Sequence, residues 1–310
     1  MESMKYVFGP VPSRRLGRSL GLSPLPQKTC NYSCIYCQLG RTDKMTNTRK
    51  TFFPTQDILE EFKMYLKDQD KFDVVSIVGE GEPTLCANLG ELIRGVHALC
   101  DKPVAVITNS ALMGDASVRA DLMEADIVLP SLDSCDEATW HKVDRPHGRL
   151  DYQAMMDGLV QFSHEYKGQL FLEVMLMNGV NDDEESLHKL KDLASRVRCD
   201  RVYVNTPVRP PAESDVQVST PETIELACQL LGGVSIDALA AGSFFSEIPD
   251  DYQAILSIIG RHPMNQHEIG GFLESRSNPN PQALFARLQQ DPGVEHTEYK
   301  GYVTYRLKTR

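Results

Sequence analysis

Between residues 18 and 240, short apolar runs alternate with stretches in which apolar positions recur every three or four residues. The short runs predict strands at Ser19–Leu22, Val74–Val78, Val104–Thr108, Ile127–Leu132, Phe171–Leu176 and Val202–Asn205. The longer stretches predict helices near 57–68, 89–100, 115–124, 152–166, 184–197 and 221–231. Thr55 and Asp57 are candidate caps for the first, the acidic run from Asn181 to Glu185 suits the start of the fifth, and Thr220 before Pro221 marks the sixth. Such alternation predicts βαβ units around a parallel sheet. Six repeats fall short of a closed eight-stranded barrel. The expected class is therefore α/β, a partial (β/α)6 TIM-like barrel over residues 1–246 with its site at the C-terminal strand ends. Past 247 the rhythm changes. Helices are expected at Asp250–Arg261, after Pro263 and at Pro281–Gln290, followed by a hairpin of Val294–Tyr299 and Tyr302–Leu307. Three helices and a hairpin predict a small C-terminal winged-helix domain over 247–310.

The chain has 310 residues, 41% of them hydrophobic, enough for a sizeable core. No apolar run approaches the roughly 18–20 residues that span a bilayer, so no membrane partner is expected. The start, from Met1 to Phe8, lacks the basic and apolar blocks of a secretory signal, which points to the cytoplasm. Of the eight cysteines, Cys30, Cys34 and Cys37 crowd into eight residues, a pattern of metal binding or catalysis. The net charge of −11 argues against a broad phosphate-binding surface. Residues 1–50 nevertheless hold nine Lys and Arg against Glu2 and Asp43. This segment is either a solvated basic face or a docking surface for an anionic substrate or an acidic electron donor.

The segment Lys28–Gly40 spaces its cysteines as C-x3-C-x2-C, so one loop can wrap three thiolates around a compact metal centre. Structural zinc sites usually take four ligands, and Cys86, Cys100, Cys135, Cys199 and Cys228 stand alone in the sequence. Three thiolates on a four-iron cluster leave one iron without a protein ligand. The motif, with Tyr36 before the last cysteine, resembles that of the radical SAM superfamily. The resemblance implies one [4Fe-4S] cluster on Cys30, Cys34 and Cys37. It implies S-adenosylmethionine (SAM) on the open iron, and reductive cleavage to a 5′-deoxyadenosyl radical that abstracts hydrogen from a substrate. It also implies backbone contact between Tyr36 and the adenine.

Other segments extend the resemblance. Gly81, Glu82 and Pro83 match a Gly-Gly-Glu-Pro motif that holds the SAM amino group, although Glu80 stands at the first glycine. Without the resemblance, the segment reads as a glycine-rich βα turn. Asn109, ending the third strand, matches a residue that holds ribose or carboxylate; as a local feature it reads as a helix cap. Ser131 and Asp133 match positions near the ribose, or serve turn chemistry. The segments Val7–Gly17, Asp144–Gly148 and Asn205–Glu213 resemble the wyosine-synthetase-like iron–sulfur oxidoreductases. Arg14, Arg15, Arg145, Asn205 and Arg209 are the candidate substrate contacts, since arginine suits carboxylate and phosphate. Surface ion pairing is the alternative for each arginine.

Three functions follow. The first is a radical SAM enzyme acting on a macromolecule such as tRNA, a peptide or a partner enzyme. The second is a radical SAM enzyme acting on a small metabolite. The third is a non-catalytic iron–sulfur regulator that senses redox state through the winged helix. Either enzyme needs a low-potential donor, flavodoxin or ferredoxin. In the expected third helix of the C-terminal domain, Arg287 is the sole basic residue, and residues 250–310 carry seven basic and seven acidic side chains. That balance gives little drive toward phosphate.

Overall fold

The computed structural model describes residues 5–236, 244–246 and 248–308. The N-terminal reading and the expected boundary after residue 246 fall partly on residues 1–4 and on Glu247, outside the described residues. In chain order the strands are β1 (Val7–Ser13), β2 (Gly17–Leu22), β3 (Thr29–Cys30), β4 (Lys44–Met45), β5 (Val74–Ile77), β6 (Val104–Thr108) and β7 (Ile127–Pro130), then β8 (Gln169–Met175), β9 (Arg201–Asn205) and β10 (Val234–Ser235). The helices among them are α1 (Thr55–Lys63), α2 (Leu89–His97), α3 (Ala116–Leu122), α4 (Glu137–Val143), α5 (Tyr152–Glu165), α6 (Glu184–Ser195) and α7 (Pro221–Leu231).

Eight strands form one sheet in the order β1-β2-β5-β6-β7-β8-β9-β10. All neighbours from β2 to β10 are parallel, and β1 is antiparallel to β2. This is the open sheet of a partial TIM-like barrel, with the six expected strands at its centre. Every residue of β5 and β7 is buried, as expected of parallel strands covered on both faces. The strand β1 was absent from the expected set because Gly9, Pro10 and Pro12 interrupt its apolar pattern. It survives at the edge, where a missing N–H is tolerated.

Local signals explain the helix starts. Asp183 accepts from Ser186 N at 3.0 Å to open α6, and Thr220 accepts from Thr223 N at 3.2 Å to open α7. The start of α1 differs from expectation. Pro54 is its N-cap and no side chain caps it. The Thr55 hydroxyl instead accepts from Asn88 Nδ2 at 2.9 Å, a tertiary contact that outcompetes the local one.

A second apolar core lies among Tyr252, Ile255, Phe272, Leu288 and Tyr305. It joins α8 (Asp251–Ile259), β11 (Met264–Asn265), α9 (Gln266–Ser275), α10 (Pro281–Gln290), β12 (Val294–Tyr299) and β13 (Tyr302–Leu307). The three strands form an antiparallel sheet, β11-β13-β12. This C-terminal unit rests on the strand-end side of the barrel. Gln27 Nε2 donates to Gly260 O at 3.1 Å and the Tyr299 hydroxyl donates to Pro207 O at 2.7 Å. In helix α10, Leu288 is the buried residue. No helix among the described residues is long and apolar enough to cross a membrane.

Candidate functional site

The cysteine loop leaves β2 and is pinned on both flanks. Thr29–Cys30 pairs with Lys44–Met45, while Ser33 N and Ile35 N donate to Asp144 O and Val143 O, each at 2.9 Å. The turn from Cys34 to Gly40 then winds on itself, Cys37 N reaching Cys34 O at 3.1 Å. Tyr32 N and Asn109 Nδ2 point at Cys30 Sγ from 3.4 and 3.6 Å, and Cys34 Sγ lies 3.5 Å from Asp144 Oδ1. Burial pushes all three thiols up, with Glu82 adding to the rise at Cys30 and Asp144 at Cys34. Buried thiols near carboxylates become thiolates when a cationic centre offsets the cost of burial.

The strand ends complete the opposite wall. A Cβ on Gly81 would lie 1.8 Å from Thr29 O, so this backbone meets the cysteine loop as only glycine can. Glu82 ties β5 to β6. Its carboxylate accepts from Thr84 N, Thr84 Oγ1 and Thr108 Oγ1 at 3.0, 2.6 and 2.7 Å, and from Asn109 N at 2.8 Å. Burial pushes its pKa up against these donors. The Asn109 side chain donates to Asn31 Oδ1 at 2.8 Å and accepts from Ala111 N at 3.0 Å. The Tyr36 hydroxyl donates to Asp133, whose other oxygen accepts from Met175 N at 2.7 Å. Asp133 is buried, and its pKa is raised by burial and by Asp144.

One cavity of about 340 Å³ is lined by the three cysteines and by Tyr36, Gly81, Glu82, Asn109, Ser131 and Asp133. Arg15, Asn205 and Arg209 line it too. Three expected residues are not among its lining. Pro83 is buried behind it as the first residue of a short 3-10 helix. Arg145 pairs outside with Glu213, where Arg41 also docks at 2.7 Å. Arg14 is half-buried nearby, its charge felt by His262. The arginines that do line the cavity are paired. Arg15 meets Glu173, and Arg209 grips Glu268 of α9 through two bonds of 2.6 and 2.7 Å.

The cavity also holds residues that the sequence reading passed over. Lys28 is buried beside Cys37, with Asp43 3.9 Å away, and Arg261 reaches in from the C-terminal unit to 3.5 Å from Glu80. A charged residue at a motif glycine was a signal for the latter pair. Asp144 lay inside a quoted segment, but its neighbour Arg145 drew attention by its charge.

His262 is half-buried, its Nε2 3.1 Å from Arg209 Nη2. Burial, then Arg209, Arg15 and Arg14, push its pKa down to about 3. Unfolded, it titrates near 6.5. As pH falls the unfolded chain therefore takes up this proton first. The stability contributed by neutral His262 is complete above about pH 6.5 and declines toward about pH 3. Replacing His262 by Gln should flatten the fall in denaturant midpoint across that window; an unchanged slope would refute the assignment.

The cavity's donor set fits an iron–sulfur cluster. No three His, Cys, Asp or Glu groups among the described residues converge on a single metal ion. The three thiols line one cavity, a donor set that suits ligands to separate irons of one cluster. Thr29 Oγ1, one residue before Cys30, is buried without a hydrogen-bond partner.

Comparison with known proteins gives the same answer. A UPF0026 protein of Methanocaldococcus jannaschii is 34% identical over 310 residues, covering 97% of this chain and 96% of that one. A Brachyspira hyodysenteriae protein named GTPase Obg is 37% identical over 310 residues, 97% of this chain and 45% of that protein. The solved structure of TYW1 with a lysine–pyruvate adduct shares the fold at a TM-score of 0.52 and 17% identity, over 69% of this chain and 72% of that one. The family profile of the radical SAM superfamily matches residues 25–190, the span from the cysteine loop through β8 and into α6. The chain belongs to the radical SAM superfamily, an enzyme superfamily whose cofactors are a [4Fe-4S] cluster and S-adenosylmethionine.

Proposed function

We propose that this enzyme abstracts hydrogen from a substrate admitted between the barrel mouth and the C-terminal unit. The observation that carries this reading is the single cavity shared by the three cysteines, the strand-end motifs and Asn205 and Arg209. Cys30, Cys34 and Cys37 would hold the cluster, and Tyr36, Gly81, Asn109, Ser131 and Asp133 would hold SAM, with Glu82 and Pro83 shaping the turn. Together the bound cofactors supply one-electron cleavage of a sulfonium bond and a carbon radical. The protein's own part is positioning and exclusion of water. Glu82 locks two strand-end loops together, and the C-terminal unit roofs the cavity, limiting stray hydrogen donors.

We divide the chain into a barrel of 1–246 and a winged-helix-type domain of 247–310, and place it in the cytoplasm, where its free thiols fit a reducing compartment. A roofed cavity means that a macromolecular substrate, tRNA or a peptide, would enter as one base or one side chain. The same roof supports a small metabolite as the second reading. Helix α10 adds little phosphate affinity, since its Arg287 lies 3.6 Å over the Tyr252 ring. Radical SAM enzymes need a reductant. Exposed Lys44, paired in register with Thr29 beside Cys30, offers flavodoxin or ferredoxin a docking point near the cluster.

Anaerobically reconstituted protein given SAM and a strong reductant should release 5′-deoxyadenosine. None from cluster-loaded protein would sink both enzyme readings and favour a redox-sensing regulator. Salt-sensitive tRNA binding would select the macromolecule over the metabolite.

A further inference from the structure

Arg209 lies past the end of β9, and Arg261 lies past the end of α8 in the C-terminal unit; both line the cavity. Protein groups engage the terminal nitrogens of each guanidinium, while its Nε is left without an acceptor. Arg209 spends its two terminal nitrogens on Glu268 and His262. Arg261 donates through Nη1 to Ser257 O at 3.3 Å and through Nη2 to Lys5 O at 3.1 Å, and its guanidinium lies 5.1 Å from the Phe8 ring centre. In both, the Nε–H is buried and has no hydrogen-bond acceptor. Glu80 comes within 3.5 Å of Arg261 Nε without closing a hydrogen bond.

Two buried, unsatisfied cationic donors on one cavity wall are costly unless a ligand supplies the acceptors. His262, next to Arg261 in the chain, abuts Arg209, and burial and the surrounding arginines hold it neutral. Arginine donors of fixed geometry suit an oxyanion. We propose that Arg209 and Arg261 jointly bind an anionic group of the substrate, a carboxylate or a phosphate, at the seam between barrel and C-terminal unit. The proposal rests on the reading of this cavity as the reaction site. It assigns the C-terminal unit a direct part in substrate recognition and explains why Glu80 replaces a glycine. Its carboxylate steers Arg261 toward the cavity without saturating it.

The test is equilibrium binding of two probes, inorganic phosphate and propionate, to cluster-loaded protein saturated with SAM. One probe should bind at a single saturable site. Arg261→Gln and Arg209→Gln should each weaken it about tenfold or more, the loss of one charge-assisted bond. Should either variant misfold, Glu268→Gln decides the matter. Freeing Arg209 should tighten binding several-fold, whereas a purely structural pair predicts no gain. Absence of saturable binding by both probes, indifference to all three substitutions, or displacement of the probe by SAM would each overturn the proposal. Displacement would assign the site to the cofactor's own carboxylate. Protein that releases 5′-deoxyadenosine yet binds neither probe sinks this inference alone; protein that releases none sinks the functional reading beneath it.

Discussion

Replacing Cys34 by alanine is expected to leave the protein without its cluster and to reduce 5′-deoxyadenosine formation to background. Cys34 is the central thiol of the loop, half-buried beside Asp144, and its removal takes away one of three anchors. The remaining two thiols, their pKa values raised by desolvation, then lose the partner that would stabilise their charge. Iron content and the visible absorbance of the reconstituted variant check this directly. Cys228→Ala is the control, because that thiol lies on α7 in the barrel's outer layer, outside the cavity lining. Full iron loading of the Cys34 variant would remove the cluster assignment.

The second large effect is expected at Gly81. An added methyl would sit 1.8 Å from the carbonyl oxygen of Thr29, a backbone atom fixed by pairing with Lys44 and by the bond from Glu82 N at 3.1 Å. Neither side can yield as a flexible side chain would. Gly81→Ala should cost about 3 kcal/mol of stability, the upper range of overpacking, or roughly 6–12 °C in Tm. Because the same shift separates the SAM motif from the cysteine loop, SAM affinity should fall as well. Equal Tm and equal SAM binding in the variant would refute the close-approach argument.

These residues show what could be read without coordinates. The strand-end positions were legible because period and spacing report local geometry. A parallel strand bounded by glycine or asparagine places its last polar residues at the mouth. The cysteines were singled out by their spacing, and Gly81, Asn109, Ser131 and Asp133 by the resemblance to radical SAM motifs at strand ends; all line one cavity. The pairing of arginines was not legible. Arg209 and Glu268 are 59 positions apart, and Glu80 and Arg261 farther still, so no periodicity relates them. Arg145 shows the converse error, a charge beside an informative segment whose partner Glu213 lies outside the cavity. Strand β1 was missed because proline and glycine break an alternation that an edge position does not require.

The Glu82 brace carries one further consequence, for the order of events in turnover. Two strand-end loops joined through a single buried carboxylate must move as one body, and the cysteine loop is tied to the end of α4 by backbone bonds. The seam held by Arg209–Glu268 and Glu80–Arg261 is built from side chains, which separate more cheaply than backbone ladders. Exchange of spent cofactor should therefore wait on the lifting of the roof. Release, rather than hydrogen transfer, then becomes the slow step under saturating substrate.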